Sequence, residues 1–345
     1  MLKKLIDRLK SVSILFQDWL RFEIMPTNDR HLWVCNRREK LALGPGRKGY
    51  VCLWPYTSQL VAPKIYPFIG KKLLNICMRD FEFEYRDERH EDEEIEISVL
   101  IGHRGLERLP HLIATLRTLA AQVDVRIECI VVEQDTEKKI QRHLPEWVRY
   151  VYMEILDDKP GYNRSAAFNF GAQFARGNLL LLHDNDMLVP VSYCKELHDI
   201  AAMGYEAINI KRFVFYLTRL NSIEVQKSIG ELGNIAPEYI VQNLEAGGSM
   251  AIGREAFEKI GSMDERFVGW GGEDNEFWDR CSILKRWIWG FVPIVHLWHA
   301  SQPLKEEASN PNIERARKLQ VIPKQRRILE LRQLNKEKDK TTMNR

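Results

Sequence analysis

Ile97-Ser98-Val99-Leu100-Ile101 opens the informative part of the chain, a continuous apolar run rich in β-branched residues. Leu109 to Leu119 follows with apolar residues at helical spacing. Ile127 to Val132 is a second apolar run, and a polar, helix-like stretch continues to Gln141. Val148 to Ile155 reads as a third strand. After the Lys159-Pro160-Gly161 turn, Asn163 to Ala175 has a helical pattern, and Leu179 to Leu182 is a fourth strand, apolar at every position. Strands alternating with helices predict an α/β fold, a mostly parallel sheet with helices on both faces. Ligands of such sheets sit outside the carboxyl ends of the strands. That rule singles out His103-Arg104, Glu133-Gln134-Asp135, the loop near Asp157-Asp158, and His183-Asp184-Asn185-Asp186.

Outward from this region the chain changes character. Met1 to about Met25 places Leu2, Leu5, Ile6, Leu9, Val12, Leu15, Phe16 and Trp19 at helical spacing, with Lys3, Lys4, Arg8 and Lys10 on the other face. Two readings stand: a helix lying on an anionic membrane surface, or one docked on its own core or a partner subunit. Pro26 to Arg79 is broken by Gly and Pro and reads as a small β-rich or irregular accessory region, followed by an acidic connector from Asp80 to Glu96. After Asn310, Arg and Lys are interspersed with Leu319, Ile328, Leu331 and Leu334, which predicts one or two helices and a frayed tail from about Lys336. The expected divisions are 1–25, 26–95, 96–305 and 306–345.

Composition sets the outer bounds. With 345 residues, 45% hydrophobic and 29% charged, the chain has material for a real core, which excludes a mainly disordered or fibrous protein. No stretch reaches the roughly 18–20 apolar residues of a membrane span. A net charge of +3 does not announce a nucleic-acid binder. The six cysteines are scattered without CxxC spacing. That argues against a disulfide framework or a cysteine-held zinc and suits a reducing cytoplasm.

Three clusters carry chemistry. Asp184 and Asp186 stand two residues apart at a strand end, where extended geometry points both carboxylates to one side. Such a pair asks for a hard divalent cation shared with phosphate oxygens, although a loop with an Asx-turn is the simpler alternative. Gly269-Trp270-Gly271-Gly272-Glu273-Asp274 joins glycines that permit close approach, an indole face suited to a sugar ring, and acids at the start of a helix from Glu273 to Leu284. Acids there also complement the helix dipole without any catalysis. His296 and His299 can reach one ion, and imidazole beside carboxylate suits Mn2+, although such a pair is also a common structural feature.

Taken together, residues from about Glu96 to Gln302 resemble inverting, metal-dependent glycosyltransferases of the GT-A fold, in particular glycosyltransferase family 2 and its β-1,4-galactosyltransferase-like branch. The resemblance implies that Asp184-Asn185-Asp186 is the DxD motif, with Asp184 and Asp186 at the metal and UDP diphosphate. It implies that Asp274, last in Gly269–Asp274, is the catalytic base. Gly247-Gly248 would line the sugar site with Trp270, Gly271, Gly272 and Glu273, and His296 and His299 would be downstream metal ligands. Tyr162-Asn163-Arg164 matches the helix that opens with a nucleotide-contacting Arg, and His103, Arg104, Glu133 and Asp135 complete the expected nucleotide set. Mn2+, with Mg2+ as the alternative, and a UDP-sugar are the implied cofactor and donor.

The activity so implied is transfer of a hexose, galactose or N-acetylgalactosamine, to a carbohydrate or glycolipid hydroxyl. The setting would be surface polysaccharide or glycoconjugate synthesis in the cytoplasm, on the inner membrane face if the N-terminal helix docks on lipid. No nucleic-acid partner is expected. Departures from the branch are Asn275 after the acids, Gly102-His103-Arg104-Gly105 after the first strand, and a long Gly204–Pro237 segment. The rival readings are a sugar nucleotidyltransferase, for which Gly102-His103-Arg104-Gly105 is too poor a version of the Gly-rich, Arg-containing loop required, and a non-catalytic carbohydrate-binding or scaffold protein.

Overall fold

The computed structural model describes residues 20, 30–90, 93–156, 161–301 and 310–343. The helix expected over residues 1–25 lies outside these except for Leu20, as does the Asp157-Asp158 loop. The chain divides into two compact units. One comprises Met1–Glu84, Ile210–Leu244 and Ile288–Trp298, and the other Tyr85–Asn209, Glu245–Trp287 and His299–Arg345. These units cut across the contiguous blocks expected from composition, because two later stretches join the N-terminal region.

The larger unit is built on a seven-stranded sheet. Val148–Glu154, Ile127–Asp135, Ile97–His103 and Leu179–His183 lie side by side and parallel. Ser249–Gly253 continues the sheet antiparallel to Leu179–His183, followed by Ala207–Ile208 and Arg286–Trp287. Ile97 pairs with Ile127 on one side and Leu179 on the other. Strands Ile97–His103, Ile127–Asp135 and Leu179–His183 are buried at every position, which is why they read as unbroken apolar runs rather than alternating ones. The first strand in sequence and the fourth are neighbours, so the strand order reverses between them. The crevice at such a switch point is where α/β sheets bind ligands.

Helix Leu109–Ala120 buries Leu112, Leu116 and Leu119, and helix Arg164–Ala172 is capped by Asn163, whose side chain accepts from the Ala166 N–H. The helix expected before Gln141 does not form; only a 3-10 turn, Gln141–His143, is present. The Lys139 and Ile140 N–H groups donate to Glu133 Oε1 at 2.8 and 3.1 Å, which leaves them unavailable for a helical ladder. At the C-terminal end, helices Pro311–Gln320 and Lys324–Met343 match the expected one or two helices, and the second continues past Lys336, where a frayed tail was expected.

The smaller unit holds the hairpin Leu41–Leu43 with Tyr50–Cys52 and the helix Pro67–Asp80. Its strands Ser58–Gln59, Tyr239–Gln242, Lys211–Tyr216 and Val292–His296 follow one another in that order, the last two parallel. The helix corrects the expectation of a β-rich or irregular segment: Ile69, Leu73, Leu74 and Cys77 make one buried face at helical spacing. Buried Arg212 donates to the carbonyls of Leu32 and Val34, both at 2.5 Å. The long Gly204–Pro237 segment thus serves this unit from Ile210 onward. All six cysteines are free thiols, as the sequence suggested.

Candidate active site

Strand Leu179–His183 delivers Asp184-Asn185-Asp186 to the switch point, and the triplet forms a turn, not the extended pair expected. The turn is imposed by partners distant in sequence. The Asp184 N–H donates to the Gly248 carbonyl at 2.8 Å, and the Asn185 side chain meets His103 Nδ1 at 2.8 Å. His103 is buried, and burial pulls its imidazole down to about 4, so it stands neutral between the two strand ends.

Arg164, first residue of its helix, organises the acids. Its Nε donates to Asp184 Oδ1 at 2.6 Å, and its Nη1 donates to Asp274 Oδ1. Carboxylates from two separate stretches therefore share one guanidinium. Burial disfavours the Arg164 charge, but Asp184, Asp274 and Glu273 outweigh it and raise its pKa. Asp184 is pushed up to about 6, by burial first and then by Asp186 and Asp274, against the pull of Arg164. Glu273 is pushed up to about 7, again mainly by burial and then by Asp274, and its Oε2 is buried without a hydrogen-bond partner.

Asp186 is nearly buried, with a side chain 4% exposed. Its Oδ2 lies 3.2 Å from Arg108 Nη1 and 3.4 Å from His299 Nε2. Arg108 also meets His299 Nδ1 at 2.7 Å. Asp186 and His299 each offer a ligand atom, and a carboxylate with an imidazole suits a borderline divalent cation. Sequence reasoning missed Arg108, which sits at the N-cap of an ordinary apolar helix with no motif around it.

Glycines give the acids their approach. Gly247 has φ +81°, and a Cβ there would stand 2.8 Å from Asp274 Oδ2. Gly272 caps the helix Glu273–Arg280 at φ +87°. The Tyr162 carbonyl accepts from the Gly269 N–H at 2.8 Å, which ties the entry to Arg164 to this loop. Trp270 is 37% exposed and presents its ring at the surface.

Glu133, Asp135 and Arg104 are engaged by partners of their own. Glu133 accepts from its own chain and from Tyr150 Oη at 2.6 Å, so both its oxygens are engaged. Asp135 accepts from Lys139 Nζ at 2.9 Å, Thr136 N at 2.8 Å and Gly105 N at 3.1 Å. Burial raises its carboxyl, and these donors more than reverse that. Arg104 donates to the Gly161 carbonyl at 2.7 Å. His296 belongs to the other compact unit, where it ends its strand with its ring stacked on Tyr216 at 4.3 Å.

All of this sheet but Ile97, with its acids at the switch point, lies inside residues 98–293, the stretch that matches the family described as Glycosyltransferase like family 2. The chain belongs to that family. The match covers more than half of its length, and the mixed α/β fold with a mainly parallel sheet is the GT-A arrangement the sequence implied. Among solved structures, the family 2-like chain is similar to the catalytic domain of Drosophila beta1,4galactosyltransferase 7, solved with xylobiose. Identity there is 17%, over 65% of this chain and 79% of that one, with a TM-score of 0.37. It is also similar to the mannosyltransferase PcManGT from Pyrobaculum calidifontis, solved with GDP-Man and Mn2+. That likeness has 13% identity, over 69% and 67% of the two chains, with a TM-score of 0.39. No curated protein matches the sequence.

Proposed function

We propose that this glycosyltransferase is a metal-dependent, inverting enzyme that moves a hexose, galactose or N-acetylgalactosamine, from a UDP-sugar to a carbohydrate hydroxyl. The observation that carries the reading is the shared guanidinium of Arg164, which joins Asp184 at the strand end to Asp274 at the helix start. Asp186 and His299, with Asp184 beside them, would hold a divalent ion, and the resemblance adds His296 to that set. The ion would neutralise the diphosphate and act as Lewis acid toward the leaving group.

In the reaction so proposed, the acceptor oxygen attacks the anomeric carbon while the bond from that carbon to the phosphate oxygen breaks. UDP departs with the bonding electrons, and the hydroxyl proton passes to Asp274. Attack opposite the leaving group converts an α-linked donor into a β-glycoside. Arg164 lies close enough to Asp184 to serve the diphosphate as a second counter-charge. Trp270 supplies a flat face for the acceptor ring, and Glu273 a hydrogen bond to a sugar hydroxyl.

The reading extends to surface polysaccharide or glycoconjugate synthesis, with a cytoplasmic enzyme able to meet anionic lipid through residues 1–25. Its test is UDP release from a panel of nucleotide sugars, with and without Mn2+, in the presence of simple saccharide acceptors. Metal-dependent release from a UDP-hexose, stimulated by acceptor, is the expected result. Release only from a GDP-sugar, or none from any donor, overturns the assignment.

A further inference from the structure

Residues 268–272 form no strand or helix, so their carbonyls require donors from another element. Those donors come from the first turn of helix Pro311–Gln320. Asn312 Nδ2 donates to the Val268 carbonyl at 2.8 Å and to the Trp270 carbonyl at 3.2 Å. Asn310 Nδ2 donates to the same Trp270 carbonyl at 3.1 Å, while its Oδ1 accepts from the Asn312 N–H. Both asparagines are almost fully buried. The two amide hydrogens of Asn312 are thus spent on two loop carbonyls, and Trp270 fills both acceptor positions of its own. The helix backbone closes from behind: a Cβ on Gly272 would stand 3.0 Å from the Asn312 carbonyl and 3.1 Å from Ala316 Cβ.

A second grip comes from helix Lys324–Met343. Buried Arg327 donates from Nη1 to Glu276 Oε1 at 2.9 Å and from Nη2 to Asp279 Oδ2. Glu276 is held at the same time by Arg280, which also donates to the Ser262 carbonyl at 2.8 Å. Glu276 and Asp279 lie on the helix that begins Glu273-Asp274. A buried carboxylate between two guanidiniums fixes geometry more surely than it adds stability.

We propose that the two C-terminal helices are the positioning element of the candidate catalytic loop, acting through Asn312 on the loop and through Arg327 on its helix. The inference rests on the reading of Asp274 and Trp270 given above. Asn312 and Arg327 touch no reacting atom; they set where Trp270, Glu273 and Asp274 stand. A misplacement of about 1 Å is enough to cost on the order of a hundredfold in rate.

The test uses the full chain, with Asn312→Ala, Arg327→Met and Arg327→Lys. Hydrogen exchange of the peptides covering 266–275 is compared with that of the sheet strands, and kcat, acceptor KM and the UDP dissociation constant with Mn2+ are measured. Asn312→Ala is expected to speed exchange in the loop while the strands stay protected. It should lower kcat by ten- to a hundredfold, raise acceptor KM, and leave UDP affinity within twofold. Arg327→Lys should recover part of what Arg327→Met loses. The proposal is overturned by unchanged loop exchange, by kcat and acceptor KM both within twofold of wild type, or by a uniform rise in exchange with equal loss of donor and acceptor binding. If the wild-type chain transfers no sugar, the functional reading falls, and loop exchange alone then decides the positioning role.

Discussion

Replacing Asp274 by Asn keeps the size and shape of the side chain and removes its capacity to take a proton. Arg164 would keep its 2.6 Å bond to Asp184, and the Asn oxygen can still accept from Nη1. The change therefore trades a charge-assisted hydrogen bond for a neutral one, about 1 kcal/mol of stability. The room left by Gly247 suits Asn as well as Asp, since a carboxamide adds no volume at the 2.8 Å approach. Folding and donor binding should therefore survive. Transfer should not, because loss of a general base is worth roughly 10²–10⁴-fold, or about 3–5 kcal/mol of barrier. The assay pairs calorimetric binding of UDP and Mn2+ with steady-state UDP release. Near-normal turnover by Asp274→Asn, with intact donor binding, would refute the assignment. A collapse confined to Glu273→Gln would move the base one residue back.

UDP should bind at least tenfold more tightly with Mn2+ than with EDTA, and Asp186→Ala should erase the difference; equal affinities by calorimetry would sink the metal assignment. Burial, and then Asp274, push the Glu273 carboxyl up to about 7 in the folded chain from the usual 4.5. Its neutral form is thus favoured by folding, and stability present below about 4.5 is lost as pH rises through 7. Glu273→Gln should consequently gain stability over wild type between pH 5 and 8, by at most about 3 kcal/mol; melting differences that stay flat with pH contradict this. Gly102→Ala places a methyl group on the Tyr162 hydroxyl and 2.9 Å from Ala167 Cβ, so a loss of about 1–3 kcal/mol is expected by thermal denaturation. An unchanged melting temperature would mean that the central strand shifts freely.

Apolar runs such as Leu179–Leu182 were legible because burial on both faces leaves no alternative reading, and the structure extends that strand only to His183. The acids at its end were found by the same logic, since polar residues after a buried strand mark the sheet's ligand end. The turn within Asp184–Asp186 was not legible, because it depends on the Gly248 carbonyl some sixty residues away. Helix Pro67–Asp80 was obscured by Pro and Gly within a short apolar stretch, although its buried face has ordinary helical spacing. Arg108 escaped notice for a different reason: an arginine before an apolar helix gains meaning only when Asp186 and His299 arrive beside it. Local pattern reports burial, and the pairing of distant charged groups leaves no local pattern.

The division of the chain has a bearing on how it acquires its structure. Its path changes unit after Glu84, Asn209, Leu244, Trp287 and Trp298. Strand Lys211–Tyr216 has its parallel neighbour only at Val292–His296. During synthesis, the segment ending at Glu84 is therefore made long before the partners that complete its unit. Contacts so distant in sequence slow folding, because loop closure must precede the gain from pairing. The incomplete unit would meanwhile expose strand edges, the condition under which nascent chains aggregate or recruit chaperones. No single cut of the polypeptide can release either unit intact, and dissection would require rejoining segments rather than trimming ends.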